Sequence, residues 1–221
     1  MTPQKEQRLR ELLQLPLEAQ EPQSRRPEYW DETFMRLGRG YGFEPEAGEY
    51  PVHHVSLVRE LLPFVSPLLD EARFTQVGPG ERDVEQVLVP GAGPVEDEER
   101  GGSGRYMLRL MHGGRRYSVS FHDISDYFNI NAVLALLNAA LETCDTSLRF
   151  FAFGDVVILG PLRGLQQAIR EGFIPGFENE GILEAWELEA IDAWSESGDT
   201  PESLVRQLEK GRKQVRVCFV V

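Results

Sequence analysis

The chain has 221 residues and a formal net charge of −13, with 41% hydrophobic and 27% charged residues. This composition supports a packed core and excludes a wholly disordered chain. The negative charge argues against general nucleic-acid binding, which needs Lys and Arg to neutralise phosphates, and disfavours anionic membranes. The two cysteines are too few for a disulfide scaffold, and there is neither a secretory leader nor a spanning apolar stretch, so we expect a cytoplasmic protein.

The N-terminal residues 1–28 are predicted to form an arm and linker. A short amphipathic helix runs from Gln4 to Leu13 in this prediction, and the proline-containing polar stretch 14–27 follows it as the linker. Residues 29–221 are predicted to form a single domain.

Two helical patterns open this domain. The first, Tyr29 to Leu37, ends at three closely spaced glycines, residues 38, 40 and 42, which predict a turn rather than a dinucleotide-binding loop because no strand precedes them. The second, Val52 to Arg73, is interrupted by Pro63 and by Pro67, so it predicts two short helices or a kinked one. A strand is expected near residues 82–89, and the glycine-rich acidic stretch 90–104 is expected to be a flexible loop.

Residues 105–175 give the clearest pattern. Two strand-like segments, Tyr106 to Met111 and Arg116 to Phe121, flank Gly113-Gly114, a strong signal for a two-residue hairpin turn. A helix at 131–142, strands at 148–153 and 156–159, and a helix at 162–171 follow. The order ββαββα predicts an α+β fold with an antiparallel sheet and helices packed on one face.

The C-terminal region is predicted to supply two further helices and a strand, the first helix running from Glu180 to Trp194. Thr200 is placed to cap the second helix, Pro201 fits its first position, and Gly211 is expected to end it. The β-rich stretch 214–221 is expected to add a strand to the sheet. The complete expectation is an α+β fold with this C-terminal strand and an N-terminal helical arm.

No catalytic, metal-binding or phosphate-binding motif occurs in the sequence, and we expect no cofactor and no metal. Adjacent histidines, His53 and His54, diverge on a helix and are poorly placed to share a metal. The most chemical grouping is His122 with Asp123 and Asp126, because a histidine oriented by a carboxylate can act as a base. Acidic residues between a strand and a helix also serve turns and caps, so both interpretations stay open.

The strongest functional signal is electrostatic. From Glu178 to Glu202, nine carboxylates occur in 25 residues without a single Lys or Arg. Trp186 and Trp194 lie about two helical turns apart and would share a face. This pattern predicts either an acidic recognition surface or a solvated outer face over two core tryptophans. The predicted partner-binding residues are Glu184, Trp186, Glu187, Glu189, Asp192 and Trp194.

These observations favour a non-enzymatic protein-binding protein. An acidic α+β protein without catalytic motifs is typical of bacterial immunity-type inhibitors and adaptors that recognise a basic partner, an analogy of class only. Two alternatives stay open: an enzyme using the His122/Asp123 region, and a structural assembly protein whose arm packs on another copy. The sequence does not indicate the oligomeric state.

Overall fold

The computed structural model describes residues 2–16, 29–42, 54–78, 84–87, 104–123, 129–153, 156–174 and 200–220. Helices and antiparallel sheets alternate along these ranges, which confirms the α+β class. The helices are α1 (Pro3–Leu12), α2 (Trp30–Arg36), α3 (His54–Leu61), α4 (Ile130–Leu141), α5 (Leu162–Arg170) and α6 (Pro201–Gln214). The strands are β1 (Gly40–Gly42), β2 (Arg73–Val77), β3 (Val84–Val87), β4 (Gly104–His112), β5 (Arg115–Asp123), β6 (Leu148–Phe153), β7 (Val156–Pro161) and β8 (Arg216–Phe219).

The strands form two antiparallel sheets rather than the expected single one. The larger sheet has the order β3-β2-β4-β5-β8, and the smaller has the order β1-β7-β6. The predicted hairpin is confirmed, since β4 and β5 pair from Gly104↔Asp123 to His112↔Arg115. Gly113 and Gly114 both have positive φ angles, 55° and 70°, as a two-residue turn between right-twisted strands requires.

Helix α4 packs between the two sheets. Its residues Leu134, Leu137 and Leu141 are buried, as predicted, in a core shared with the inner face of the larger sheet and one face of the smaller. Alternate side chains of the apolar strand β7 point into two different hydrophobic cores. Val157 belongs to the α4 core, whereas Ile158 belongs to a second core. A strand buried on both faces therefore appears in the sequence as a continuous apolar run.

The second core joins the N-terminal helix to the rest of the protein. Leu9 and Leu13 are fully buried there beside Leu165 of α5. A Cβ added at Gly164 would lie 1.9 Å from the Leu12 carbonyl oxygen, so α1 and α5 approach closely. The helix predicted as an arm is thus packed against the domain, whereas the predicted boundary at residue 28 lies outside the described residues.

Two glycine-containing regions differ from expectation. Helix α6 starts as predicted, with the Thr200 hydroxyl accepting from the Ser203 N–H, but it continues through Gly211 to Gln214. Gly211 faces Ala135 of α4, where an added Cβ would lie 3.2 Å from the Ala135 Cβ, so it permits close helix packing rather than ending the helix. Gly40 to Gly42 form the short strand β1 instead of a turn, and the expected turn is confined to Gly38, with φ 64°.

The segment Val52 to Arg73, predicted as two short helices or a kinked one, also differs from the prediction. It ends as helix α3 at Leu61, continues as a short 3-10 helix over Leu62–Val65, and its last predicted residue, Arg73, begins β2. Pro63 accounts for the change of helix type, because its ring removes a backbone donor. The flexible loop predicted at 90–104 lies outside the described residues except for Gly104, which begins β4.

Candidate functional site

The larger sheet packs its inner face against the core, and among the described residues its opposite, outer face is largely polar along β5 and β8. Alternation along β5 places Tyr117 and Val119 in the core, and places Arg116, Ser118 and Ser120 on the opposite, outer face. Cross-strand pairing extends this outer face over β8, since Arg116 lies opposite Cys218 and Ser118 opposite Arg216. A hydrophobic–polar period of two along β5 therefore fixes which side of the sheet meets solvent.

Strand β8 forms an edge of this sheet and is exposed along its whole length. All four of its residues are exposed, with Val217 at 51% and Phe219 at 77% of full exposure, and the following Val220 is at 46%. Within the described ranges, no strand pairs with the other side of β8. An apolar edge strand of this kind is a template for pairing with another chain.

The hydrogen-bond pattern shows which backbone groups of β8 are available. The Val220 N–H donates to the Gly114 carbonyl at 3.0 Å. Because residues of an antiparallel strand alternate between bonding their neighbour and pointing away, Cys218 also bonds β5, whereas the N–H and C=O groups of Val217 and Phe219 point to the open side. The open edge thus offers two donor–acceptor pairs in strand spacing.

In the smaller sheet, side chains from two helices bond the backbone of the edge strand β6. The Asn138 side chain of α4 bonds both the N–H and the C=O of Phe150 on β6, each at 2.8 Å. The Gln207 side chain of α6 does the same for Ala152, at 3.3 and 3.0 Å. Two side-chain amides therefore stand where an additional strand would bond β6, and within the described residues β8 has no such cover.

Positive side chains surround the open edge. Arg116 and Arg216 are exposed on the outer face, and within the described part of the chain no carboxylate pairs with either. On the other face, the Arg115 guanidinium lies 5.3 Å from the centre of the Phe219 ring, within cation–π distance. Arg212 forms an ion pair with Glu142, the residue that follows α4.

This positive environment contrasts with the charge of the whole chain. The described residues contain 19 Lys and Arg against 14 Asp and Glu, whereas the complete chain has 23 against 36. The negative excess therefore belongs to residues outside the described ranges. Sequence composition alone did not indicate a positive surface, because the net charge averages over both parts.

The predicted acidic recognition residues are outside the described part of the structure. Glu184, Trp186, Glu187, Glu189, Asp192 and Trp194 all lie in residues 175–199. Their role as a partner-binding surface stays a prediction.

The alternative catalytic grouping is only partly described. His122 is exposed on the outer face, opposite Arg105, and no described residue hydrogen-bonds its ring. Asp123 ends β5, and Asp126 lies outside the described residues. The His122/Asp123 hypothesis therefore stays a prediction.

A different histidine, which sequence reasoning did not select, has a well-defined environment. His54 is buried against the rings of Tyr106 and Phe121, which stack on each other. Its Nε2 accepts from the Asn129 N–H at 2.9 Å, and its Nδ1 lies 3.1 Å from the Gln76 side-chain oxygen. Acceptance at Nε2 requires a neutral ring that carries its proton on Nδ1. His54 thereby joins α3, β2 and the start of α4, which is a structural role.

The described residues supply no group of three His, Cys, Asp or Glu side chains placed to hold a metal ion. No described helix combines the length and apolar character that crossing a bilayer requires. Comparison with known proteins gives no match: no family model fits the sequence, and neither a curated protein nor a solved structure is detectably similar to it.

Proposed function

We propose that this chain is a non-enzymatic protein-binding protein, an adaptor or immunity-type inhibitor, that binds an extended segment of its partner along the free edge of β8. The observation that carries the proposal is the exposed apolar edge, Arg216–Phe219, in a fold whose β6 edge is closed by side-chain amides. Natural sheets usually protect exposed edges with prolines, bulges or several charges, because such edges promote association.

In this mode of binding, backbone hydrogen bonds supply affinity and side chains supply selectivity. The partner strand would bond the outward N–H and C=O groups of Val217 and Phe219. Its side chains would then contact Val217 and Phe219 on one face and Arg216 on the other. No reaction is required of any residue in this arrangement.

A proline scan of the edge tests the proposal. Val217→Pro removes an N–H that points away from β5, so the sheet should be retained while partner binding is lost. Val217→Ala shortens the same side chain and keeps the N–H. We expect a protein captured from a cell extract by the wild-type chain to be captured by the alanine variant and lost by the proline variant. Equal capture by both variants, with unchanged circular dichroism spectra, would contradict strand addition.

The acidic segment provides a second candidate surface, for a basic partner. It is supported by the nine carboxylates between Glu178 and Glu202, which no Lys or Arg accompanies. Changing Glu184, Glu187 and Asp192 to lysine should slow association, and the native rate should fall with added salt, because exposed charges are screened over about 8–10 Å. An association rate indifferent to both changes would reject this surface and leave the β8 proposal unaffected.

A cytoplasmic location belongs to the same proposal. Cys144 and Cys218 are both free thiols, which is compatible with a reducing compartment. Cell fractionation with the native protein tests the location, and recovery from the extracellular or periplasmic fraction would contradict it.

A further inference from the structure

We infer that the segment recognised at β8 is an acidic strand in which carboxylate and apolar side chains alternate. The inference rests on the proposed strand addition and names the chemistry of the partner. It follows from the different character of the two faces that meet at this edge.

The outer face at the edge is cationic. Arg216 belongs to β8 itself, and Arg116 lies on the same face of the neighbouring strand, diagonal to Arg216. Both are exposed, and no carboxylate within the described ranges pairs with either. A partner carboxylate beside Arg216 would therefore lie close to two guanidinium groups that have no carboxylate partner among the described residues.

The inner face at the same edge is apolar. Val217 and Phe219 alternate with Arg216 and Cys218 along β8, so their side chains lie on the opposite face. The Arg115 guanidinium lies over the Phe219 ring, and Phe219 is still 77% exposed. A partner residue beside Val217 or Phe219 would bury apolar surface if its own side chain were apolar.

These two faces impose a period of two on the partner. A strand paired with β8 places successive side chains on opposite faces, so residues beside Arg216 should be acidic and residues beside Val217 and Phe219 apolar. The preferred partner segment is therefore an alternation of Asp or Glu with apolar residues.

A second copy of this chain is a poorer occupant. An antiparallel pairing of two β8 strands would bring Arg116 and Arg216 of both copies to one shared surface, where like charges repel. Single-stranded nucleic acid is disfavoured by the ring positions. Phe219 is the one exposed ring of these strands, since Phe74, Tyr106 and Tyr117 are buried and Phe121 is partly buried. The cationic outer face of β2, β4, β5 and β8 has no Phe, Tyr or Trp, so successive bases would find no row of rings on which to stack.

Two short peptides test the inference. The first is an acetylated, amidated heptapeptide in which Val and Glu alternate, and the second has Lys in place of Glu. Both have N-methyl groups on the backbone nitrogens that would face away from β8, so that the peptides cannot form sheets with themselves. Nuclear magnetic resonance titration of the full chain then gives the affinity of each peptide and locates the perturbed amides.

We expect the Glu peptide to bind at least about tenfold more tightly than the Lys peptide at low salt, with perturbations centred on Val217 and Phe219. The ratio of the two affinities should fall towards one as the salt concentration increases. Arg116→Glu combined with Arg216→Glu should reverse the preference. The matched control, Arg163→Glu with Arg170→Glu on α5, makes the same charge change away from β8. This variant should keep the preference for the Glu peptide.

The outcomes separate the two proposals. Equal binding of both peptides at β8 would retain strand addition and overturn the acidic partner. Perturbation of β8 by neither peptide would overturn strand addition itself. If the protein dimerises with increasing concentration and Val217→Pro abolishes the dimer, β8 pairs with a second copy of this chain. Displacement of the Glu peptide by an oligothymidylate would assign the edge to nucleic acid. Either of these last two results would overturn the inference.

Discussion

Asn138 of α4 bonds Phe150 of β6 as a neighbouring strand would. Its side-chain oxygen accepts from the Phe150 N–H, and its side-chain nitrogen donates to the Phe150 C=O, both at 2.8 Å. Gln207 repeats the arrangement at Ala152, two residues further along the same edge. The β6 edge of the smaller sheet is therefore bonded by side-chain amides, whereas the β8 edge of the larger sheet consists of exposed residues.

The Asn138 contact should contribute measurably to stability. Asn138→Ala would leave the N–H and C=O of Phe150 unpaired in a buried position, and each such loss costs about 1–3 kcal/mol. We expect the free energy of unfolding in urea to fall by at least about 1 kcal/mol. Asn131→Ala, an exposed asparagine on the same helix, is the matched control and should change it by less than about 0.5 kcal/mol. Similar values for the two variants would contradict this role of Asn138.

The packing of α1 against α5 gives a second prediction. Gly164→Ala places a Cβ into the Leu12 carbonyl, so α1 must move, and overpacking of this kind typically costs about 1–3 kcal/mol. Limited proteolysis should then cleave residues 2–16 faster than in the wild-type protein. Arg163→Ala, an exposed change on the same helix, should leave cleavage unchanged. If the Gly164→Ala variant resists the protease as well as the wild-type protein does, the close contact between Gly164 and Leu12 does not hold α1 in place.

The ion pairs of Glu6 give a pH-dependent prediction. Hydrogen bonding from Arg36, assisted by Arg10 and opposed by partial burial, lowers the pKa of the Glu6 carboxyl below its ordinary 4.5. A lowered folded-state pKa stabilises the protein at pH values above the unfolded-state pKa, and this contribution is lost as the pH falls through the folded-state pKa. Glu6 joins α1 to α2 through Arg36, with Glu6 Oε2 and Arg36 Nη2 3.1 Å apart.

Glu6→Gln should therefore lower the free energy of unfolding at pH 7 by up to about 1 kcal/mol, since Arg36 is substantially exposed. The difference from wild type should disappear in urea titrations performed well below pH 4. Glu11→Gln removes a carboxylate from the same helix and serves as the control, with little expected effect at either pH. A Glu6→Gln difference that persists unchanged in acid would contradict the ion-pair explanation.

The two cysteines should differ in reactivity. Burial raises the pKa of the Cys144 thiol, an effect that nearby Arg149 only partly opposes, and this thiol lies within hydrogen-bond reach of the Leu68 and Ala140 carbonyls. Cys218 is exposed on β8. An aromatic disulfide reagent should therefore label Cys218 rapidly and Cys144 slowly, because the thiolate is the reacting form. Cys218→Ser should remove the fast phase, and its retention would contradict the exposure of β8.

Local sequence signals predicted those elements whose cause is local. The Gly113-Gly114 turn, the Thr200 cap and the apolar face of α4 each depend on residues close in sequence, and each is present. Gly211 was wrongly predicted to end its helix because a glycine's role there depends on Ala135, 76 positions earlier. The division into two sheets also follows from tertiary packing around α4.

The open edge could be predicted only in part. The β-rich composition of residues 214–221 correctly indicated a strand, but whether a strand is central or at an edge depends on its partners. Its apolar side chains resemble those of a buried strand. Only the structure, in which β5 is the one partner of β8 among the described strands, identifies them as an exposed surface. The acidic segment, in contrast, was the strongest sequence signal and lies outside the described residues except for its last three, 200–202.

Amide hydrogen exchange along β8, measured by nuclear magnetic resonance, tests the central claim most directly. In the free protein, we predict that the amides of Val217 and Phe219 exchange at least about tenfold faster than those of Cys218 and Val220, which bond β5. Saturation with the alternating Val–Glu peptide should slow Val217 and Phe219 selectively. Equal protection of all four amides in the free protein would show that the edge is already covered. Unchanged exchange in a saturated complex would show that binding does not add a strand at β8.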